Sequence, residues 1–186
     1  MRATKVLTED WNFISRFLVV LGRGLVVASR SKTARPGFFI FAANFIHEYV
    51  ESYYLPREAV LLQVLEECGF PHDSGPVGNM RADQQKSLEI SKTLSEAARA
   101  WHDGNDTGRA EAVWATSEYT DLMHHHFERM RNLINPLLDQ SVTPEGEIKI
   151  AEELNRIAFA EAGSEPVEKY SKIIKLLEDE VGNWER

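Results

Sequence analysis

Leu7, Trp11, Ile14, Leu18, Leu21 and Leu25 recur at three- and four-residue intervals, and no run of the 186-residue chain alternates convincingly between apolar and polar residues at period two. Such spacing is the stripe of an amphipathic helix facing a core, and it points away from a sheet. Thr8, Glu9 and Asp10 offer a hydroxyl and two acids suited to a helix start, so the first helix is expected from about Leu7 to Ser29. The basic, polar stretch 29–37 reads as a loop. A long second helix follows to about Cys68, where Gly69 and Pro71 supply a stop.

Pro56 lies inside that second helix. It removes one backbone hydrogen bond and crowds the carbonyl of Ser52, so a kink is expected there. A third helix is expected from near Val77 to about 103–106, and a fourth from about Gly108 to Asp139. Thr143, Pro144 and Glu145 form the hydroxyl-cap and early-proline pattern of another start, and residues 163–166 read as the break before a last helix. The expected fold is all-α: an antiparallel up-down-up-down four-helix bundle with one or two short C-terminal helices packed across it. At 186 residues and 43% hydrophobic content the chain reads as one domain, with the bundle over about 7–140 and the extension over about 144–184.

The net charge of −8 and pI near 5.3 argue against a nucleic-acid or anionic-membrane partner, because both need clustered Lys and Arg. Cys68 is the only cysteine, which leaves no internal disulfide and no thiolate cluster for a metal. The apolar stretch Phe13 to Ala28 is interrupted by Arg16, Arg23 and two glycines, and reads as neither a spanning helix nor a signal peptide. These features together imply a cytoplasmic protein.

On the second helix His47, Glu51, Tyr54 and Glu58 follow one another by four, three and four residues, which keeps them on one stripe of an α-helix. Imidazole and carboxylate at such spacing are how helical bundles bind iron or manganese, while the plainer reading is a solvated face. His124, His125 and His126 are consecutive, so their side chains fan apart and only one, expected to be His126, faces the core.

The order Y-Y-L-P-R-E-x3-L, L-E-E-C-G-F-P, G-P-V-G-N-M and A-D-Q, together with H-F-E-R-M-x2-L-I-N-P further on, resembles the hemerythrin family in its bacterial HHE cation-binding form. F-A-E-A-G and E-K-Y-x6-L extend the likeness weakly toward the C-terminus. The resemblance implies a di-iron bundle with ligands on all four helices, and the chain departs from it at most of them. After Asp10 comes Trp11 where the family has His; Tyr54 stands where it has the His preceding Glu58; Gln84 follows Asp83 in place of His; Met130 replaces the acid four residues after His126. Only Glu58 and His126 match the ligand pattern.

Three arrangements follow from these residues. Glu58 and His126 pair in a closed core as a remnant of the site, in which case Glu58→Gln is expected to be tolerated or stabilising. A divergent metal site uses Glu58 and His126 with Tyr54 as ligand or redox phenol and Gln84 orienting dioxygen; a displaced variant uses His47, Glu51 and Tyr119, since His47 lies about 10.5 Å along the helix from Tyr54. Alternatively, Trp11, Tyr53, Tyr54, Gln84, Met130 and His126 line a pocket for a small organic ligand. The leading expectation is a hemerythrin-like binding or sensing protein whose di-iron site is lost or strongly altered. The alternative is a non-heme iron or manganese enzyme, or a dioxygen-binding protein, with a divergent ligand set.

Overall fold

A computed structural model describes residues 2–161 and 166–185, and among the described residues all regular structure is helical. Helix α1 is Arg2–Arg30. Helix α2 opens as Pro36–Phe45, passes through the π-helical stretch Ile46–Tyr54 and continues as Leu55–Glu67. Helix α3 is Gly75–His102. Helix α4 comprises Asp106–Arg129, a second π-helical stretch Met130–Ile134, and Asn135–Ser141. Helices α5 and α6 are Pro144–Glu161 and Pro166–Trp184. The break expected from residue 163 falls on 162–165, outside the described residues.

Thr8 lies within α1 rather than at its start. The two C-terminal helices, at 18 and 19 residues, are longer than expected. Ends of α2 and α3 are set by matching glycine turns. Gly69 has φ +98° and Gly104 φ +91°, and each is followed by a residue whose N–H reaches back to the carbonyl five positions earlier, Phe70 to Leu65 and Asn105 to Ala100. This is the left-handed helix stop that a Cβ disfavours. Gly69→Ala is expected to lower stability by about 1–2 kcal/mol, read as a lower thermal midpoint; an unchanged midpoint would show that the turn tolerates the side chain.

Both prolines inside long helices follow a π-helical stretch. At the first, the Leu55 N–H bonds the Val50 carbonyl five residues back; at the second, Asn135 bonds Met130 in the same way. The wider turn takes up the crowding that Pro56 and Pro136 impose on the backbone before them. The expected kink at Pro56 is thus expressed as a change of helical pitch.

Leu7–Arg30 is long and apolar enough, by length and composition, to cross a membrane, which the shorter stretch Phe13 to Ala28 did not suggest. In this structure its stripe is spent on the core: Leu7, Ile14, Phe17, Leu18 and Leu21 are fully or almost fully buried, each such burial contributing roughly 1.5–3 kcal/mol. Helix α3 packs along α4, the first part of α2 packs on α3, and α4 packs on α1. Helix α5 lies against the second half of α2 and buries Ile150 and Leu154. Helix α6 lies against α1 and the start of α2, with Ile174, Leu177 and Val181 inward and Ile173 half-buried. Ion pairs Arg16–Glu178 at 3.2 Å and Arg23–Glu185 at 2.5 Å step seven residues along both helices, so α6 runs parallel to α1. Core side chains from all six helices belong to one contiguous apolar cluster.

Candidate functional site

Glu58 is fully buried on α2, and donors from three helices converge on its carboxylate. Its own helix supplies Tyr54, whose hydroxyl donates to Oε1 at 2.6 Å. From α3, Gln84 Nε2 donates to Oε2 at 2.6 Å. From α4, His126 Nε2 lies 2.8 Å from Oε1 and 3.0 Å from Oε2. Trp11 of α1 completes the set indirectly, donating from Nε1 to the Tyr54 oxygen at 2.6 Å. A carboxylate in a dry interior needs such partners, because an unpaired one costs several kcal/mol to bury.

The network continues beyond His126. Asp83 Oδ2 is 3.4 Å from His126 Nδ1, an ion-pair distance longer than a good hydrogen bond, and the same oxygen accepts from Arg129 Nη1. On the other side of α2, Arg57 Nη1 donates to Asp10 Oδ2 at 2.5 Å, and the Tyr49 hydroxyl donates to Asp10 Oδ1 at 3.1 Å. The Arg57 guanidinium also sits over the Tyr53 ring at 4.6 Å. Three oppositely charged pairs therefore lie in or at the edge of the interior: Asp10 with Arg57, Glu58 with His126, and Asp83 with the half-buried Arg129.

Burial opposes a charge on His126, but the carboxylates of Glu58 and Asp83 overcome it and push its pKa up to about 9. Burial likewise opposes ionisation of Glu58, and the neighbouring imidazolium, the Tyr54 hydroxyl and the Gln84 amide together hold its carboxyl below the usual value. Asp83 is lowered against its own burial by His126 and Arg129. Burial and the adjacent Glu58 raise the Tyr54 phenol well above 10, so it is a neutral donor. Asp10 differs in sign: burial outweighs Arg57 and Tyr49 and raises it. A pKa raised to about 9 favours the imidazolium near neutral pH, between two carboxylates, with Nδ1 buried and making no hydrogen bond among the described residues.

That arrangement bears on a metal. His126 Nε2 is engaged with Glu58, and the Glu58 oxygens already accept from Tyr54, Gln84 and His126. The two acids also flank the ring from opposite edges instead of converging on a point. Among the described residues no group of three or more His, Cys, Asp and Glu side chains is placed to hold a metal ion. This donor set does not fit a di-iron pair.

Trp11, Tyr54 and His126, three of the residues expected to line a pocket, pack around Phe127, with ring centroids 6.4, 5.9 and 5.9 Å from its own. Met130 is fully buried and begins the second π-helical stretch. His124 and His125 are exposed while His126 points inward.

The structure separates His47 from the stripe. His47 is exposed, and its Nδ1 lies 2.9 Å from Glu51 Oε2; Glu51 Oε1 in turn accepts from Ser91 Oγ of α3. Glu51 is half-buried, and Tyr54 and Glu58 are fully inside. Tyr119 is fully buried with no hydrogen-bond partner among the described residues, its phenol held well above 10 by burial and then by the Glu51 charge. His47, Glu51 and Ser91 edge a cleft of about 350 Å³ between α2 and α3.

Arg57, Arg129, Asp10 and Asp83 are the parts of the site that residue spacing did not single out. A signal was present: Asp10 and Asp83 each precede a residue that donates into the network, and Arg57 directly precedes Glu58. Buried arginine is uncommon unless an acid meets it.

No family model, curated protein or solved structure matches the chain. The likeness to hemerythrins accordingly stands on the quoted residues alone.

Proposed function

We propose that α1 to α4 form a hemerythrin-type antiparallel bundle in which a protonated charge network occupies the di-iron position, and that the chain works as a cytoplasmic binding or sensing protein. Contacts between successive helices support the up-down-up-down order. Asp10 meets Arg57 while Phe17 stacks on Phe45; Glu58 meets Gln84 while Phe39 meets Trp101; Asp83 meets Arg129 while Trp101 meets Arg109. In each pair of contacts one helix number rises as the other falls.

The observation that carries the functional reading is the occupancy of Glu58. Both carboxylate oxygens accept from protein donors, and the imidazole that would bind a metal donates to them instead. A core closed in this way leaves binding to the outer faces of the helices, where clefts lie between α2 and its neighbours.

Anaerobic reconstitution with ferrous iron, followed by elemental analysis and visible absorption, tests this. The expected result is substoichiometric iron and no oxo-bridge or tyrosinate band. A stoichiometric iron pair with either band, lost in His126→Gln, would overturn the reading in favour of non-heme iron chemistry at Glu58, His126 and Tyr54.

A further inference from the structure

The start of α2 and the length of α6 enclose a groove of about 460 Å³, within the size range of small-molecule sites, about 300–1,000 Å³. Phe41, Ile173, Leu176 and Leu177 form its walls. Phe41 and Leu176 are 58% and 67% exposed, an unusual amount of large apolar surface to leave facing one cleft.

Charge in the groove is uneven. Lys169 is already committed, its Nζ 2.6 Å from Glu48 Oε2, and the Tyr170 hydroxyl donates to the same oxygen at 3.2 Å. Glu180, also in the lining, is half-buried and makes no hydrogen bond or ion pair among the described residues. Partial burial raises its carboxyl, with the charge of Arg35 acting the other way from outside the groove. An anionic amphiphile entering here would have to displace Glu48 from Lys169 and would face Glu180 as a like charge. A cation would meet a carboxylate with no hydrogen bond or ion pair among the described residues, in a groove that Phe41 also lines.

We propose that this groove binds amphiphilic amines, with the apolar body between Phe41 and Leu176 and the protonated nitrogen on Glu180. The site is separate from the buried network, so iron uptake by the core would leave the proposal standing, and a silent groove would leave the core reading standing.

Isothermal titration calorimetry near neutral pH with n-octylammonium, 1-octanol and octanoate, each below its aggregation limit, tests it with probes of one chain length and three charges. Octylammonium is expected to bind saturably, octanol about fivefold more weakly, the ratio a half-buried ion pair supplies, and octanoate more weakly still. Glu180→Gln brings octylammonium down to the octanol affinity and leaves octanol unchanged, while Phe41→Ala weakens both. Octanoate binding as tightly as the amine, Glu180→Gln binding the amine undiminished, or no saturable heat from octylammonium would each overturn the proposal. So would a dimer in sedimentation velocity that Leu176→Glu dissolves and octylammonium leaves intact, because a second copy of the chain would then be the occupant.

Discussion

Glu58→Gln is expected to destabilise the folded chain by about 3–5 kcal/mol, the cost typical of removing one partner from a buried ion pair. The carboxylate accepts from Tyr54, Gln84 and His126 at once. A glutamine in its place offers a single acceptor oxygen and turns an N–H group toward donors that have nowhere else to point. It also leaves the His126 imidazolium with Asp83 alone, at 3.4 Å. The tolerance expected from sequence assumed that only a charge would be lost; the structure shows that an acceptor is lost too, at a point where donors from two other helices meet. Replacing both Glu58 and His126 with leucine should cost less than the sum of the two single changes, since neither partner is then left alone. Urea denaturation midpoints at constant slope provide the measurement. A Glu58→Gln midpoint equal to that of the native chain would contradict this account of the core.

Stability should also fall by about 3 kcal/mol between neutral and moderately alkaline pH. Folding raises the His126 pKa from 6.5 to about 9, and each unit corresponds to about 1.4 kcal/mol. Because the folded value is the higher one, this contribution is fully present below pH 6.5 and is lost as pH rises through about 9. Glu58 and Asp83 behave oppositely: their lowered values give stability that is present above 4.5 and 3.8 and lost as pH falls through the lower folded values. Asp10, raised on folding, partly offsets that acid loss. The raised phenols of Tyr54 and Tyr119 make their loss only above 10, where the unfolded chain ionises. The interval between 6.5 and 9 therefore belongs to His126. Urea titrations across it should show a falling midpoint in the native chain and a nearly flat one in His126→Gln. A slope that survives the substitution would place the titrating group elsewhere.

The helices were legible because apolar side chains at three- and four-residue spacing, with glycine and proline at the ends, leave few alternatives. Gly69 and Pro71 marked the end of α2 to within a residue or two, and Asn105 caps α4 close to the expected start. The Glu58–His126 contact was legible as well, as the simplest pairing for the two residues that match the ligand pattern of the family the sequence resembles. The phase of α2 was not. A period of 3.6 puts His47, Glu51, Tyr54 and Glu58 on one stripe, but the turn over Ile46–Tyr54 is wider, and it carries His47 out to solvent while Tyr54 and Glu58 stay inside. Nothing in residue type distinguishes such a turn from an ordinary one until the proline after it is considered. The arginines escaped notice for another reason: Arg57 and Arg129 resemble any surface charge in sequence, and only the approach of Asp10 and Asp83 from other helices buries the first and holds the second at the edge of the core.

Cys68, the single thiol of the chain, is exposed at the end of α2, and its Sγ lies 3.5 Å from the carbonyl oxygen of Ser141 at the end of α4. One maleimide fluorophore or spin label thus attaches at a single defined position with no engineered cysteine. It would sit at a seam between two helix ends that are far apart in the chain, so its mobility follows fraying of that seam as the core network is titrated or mutated. The native sequence in this way carries its own reporter for whether the charged interior holds the helix ends together.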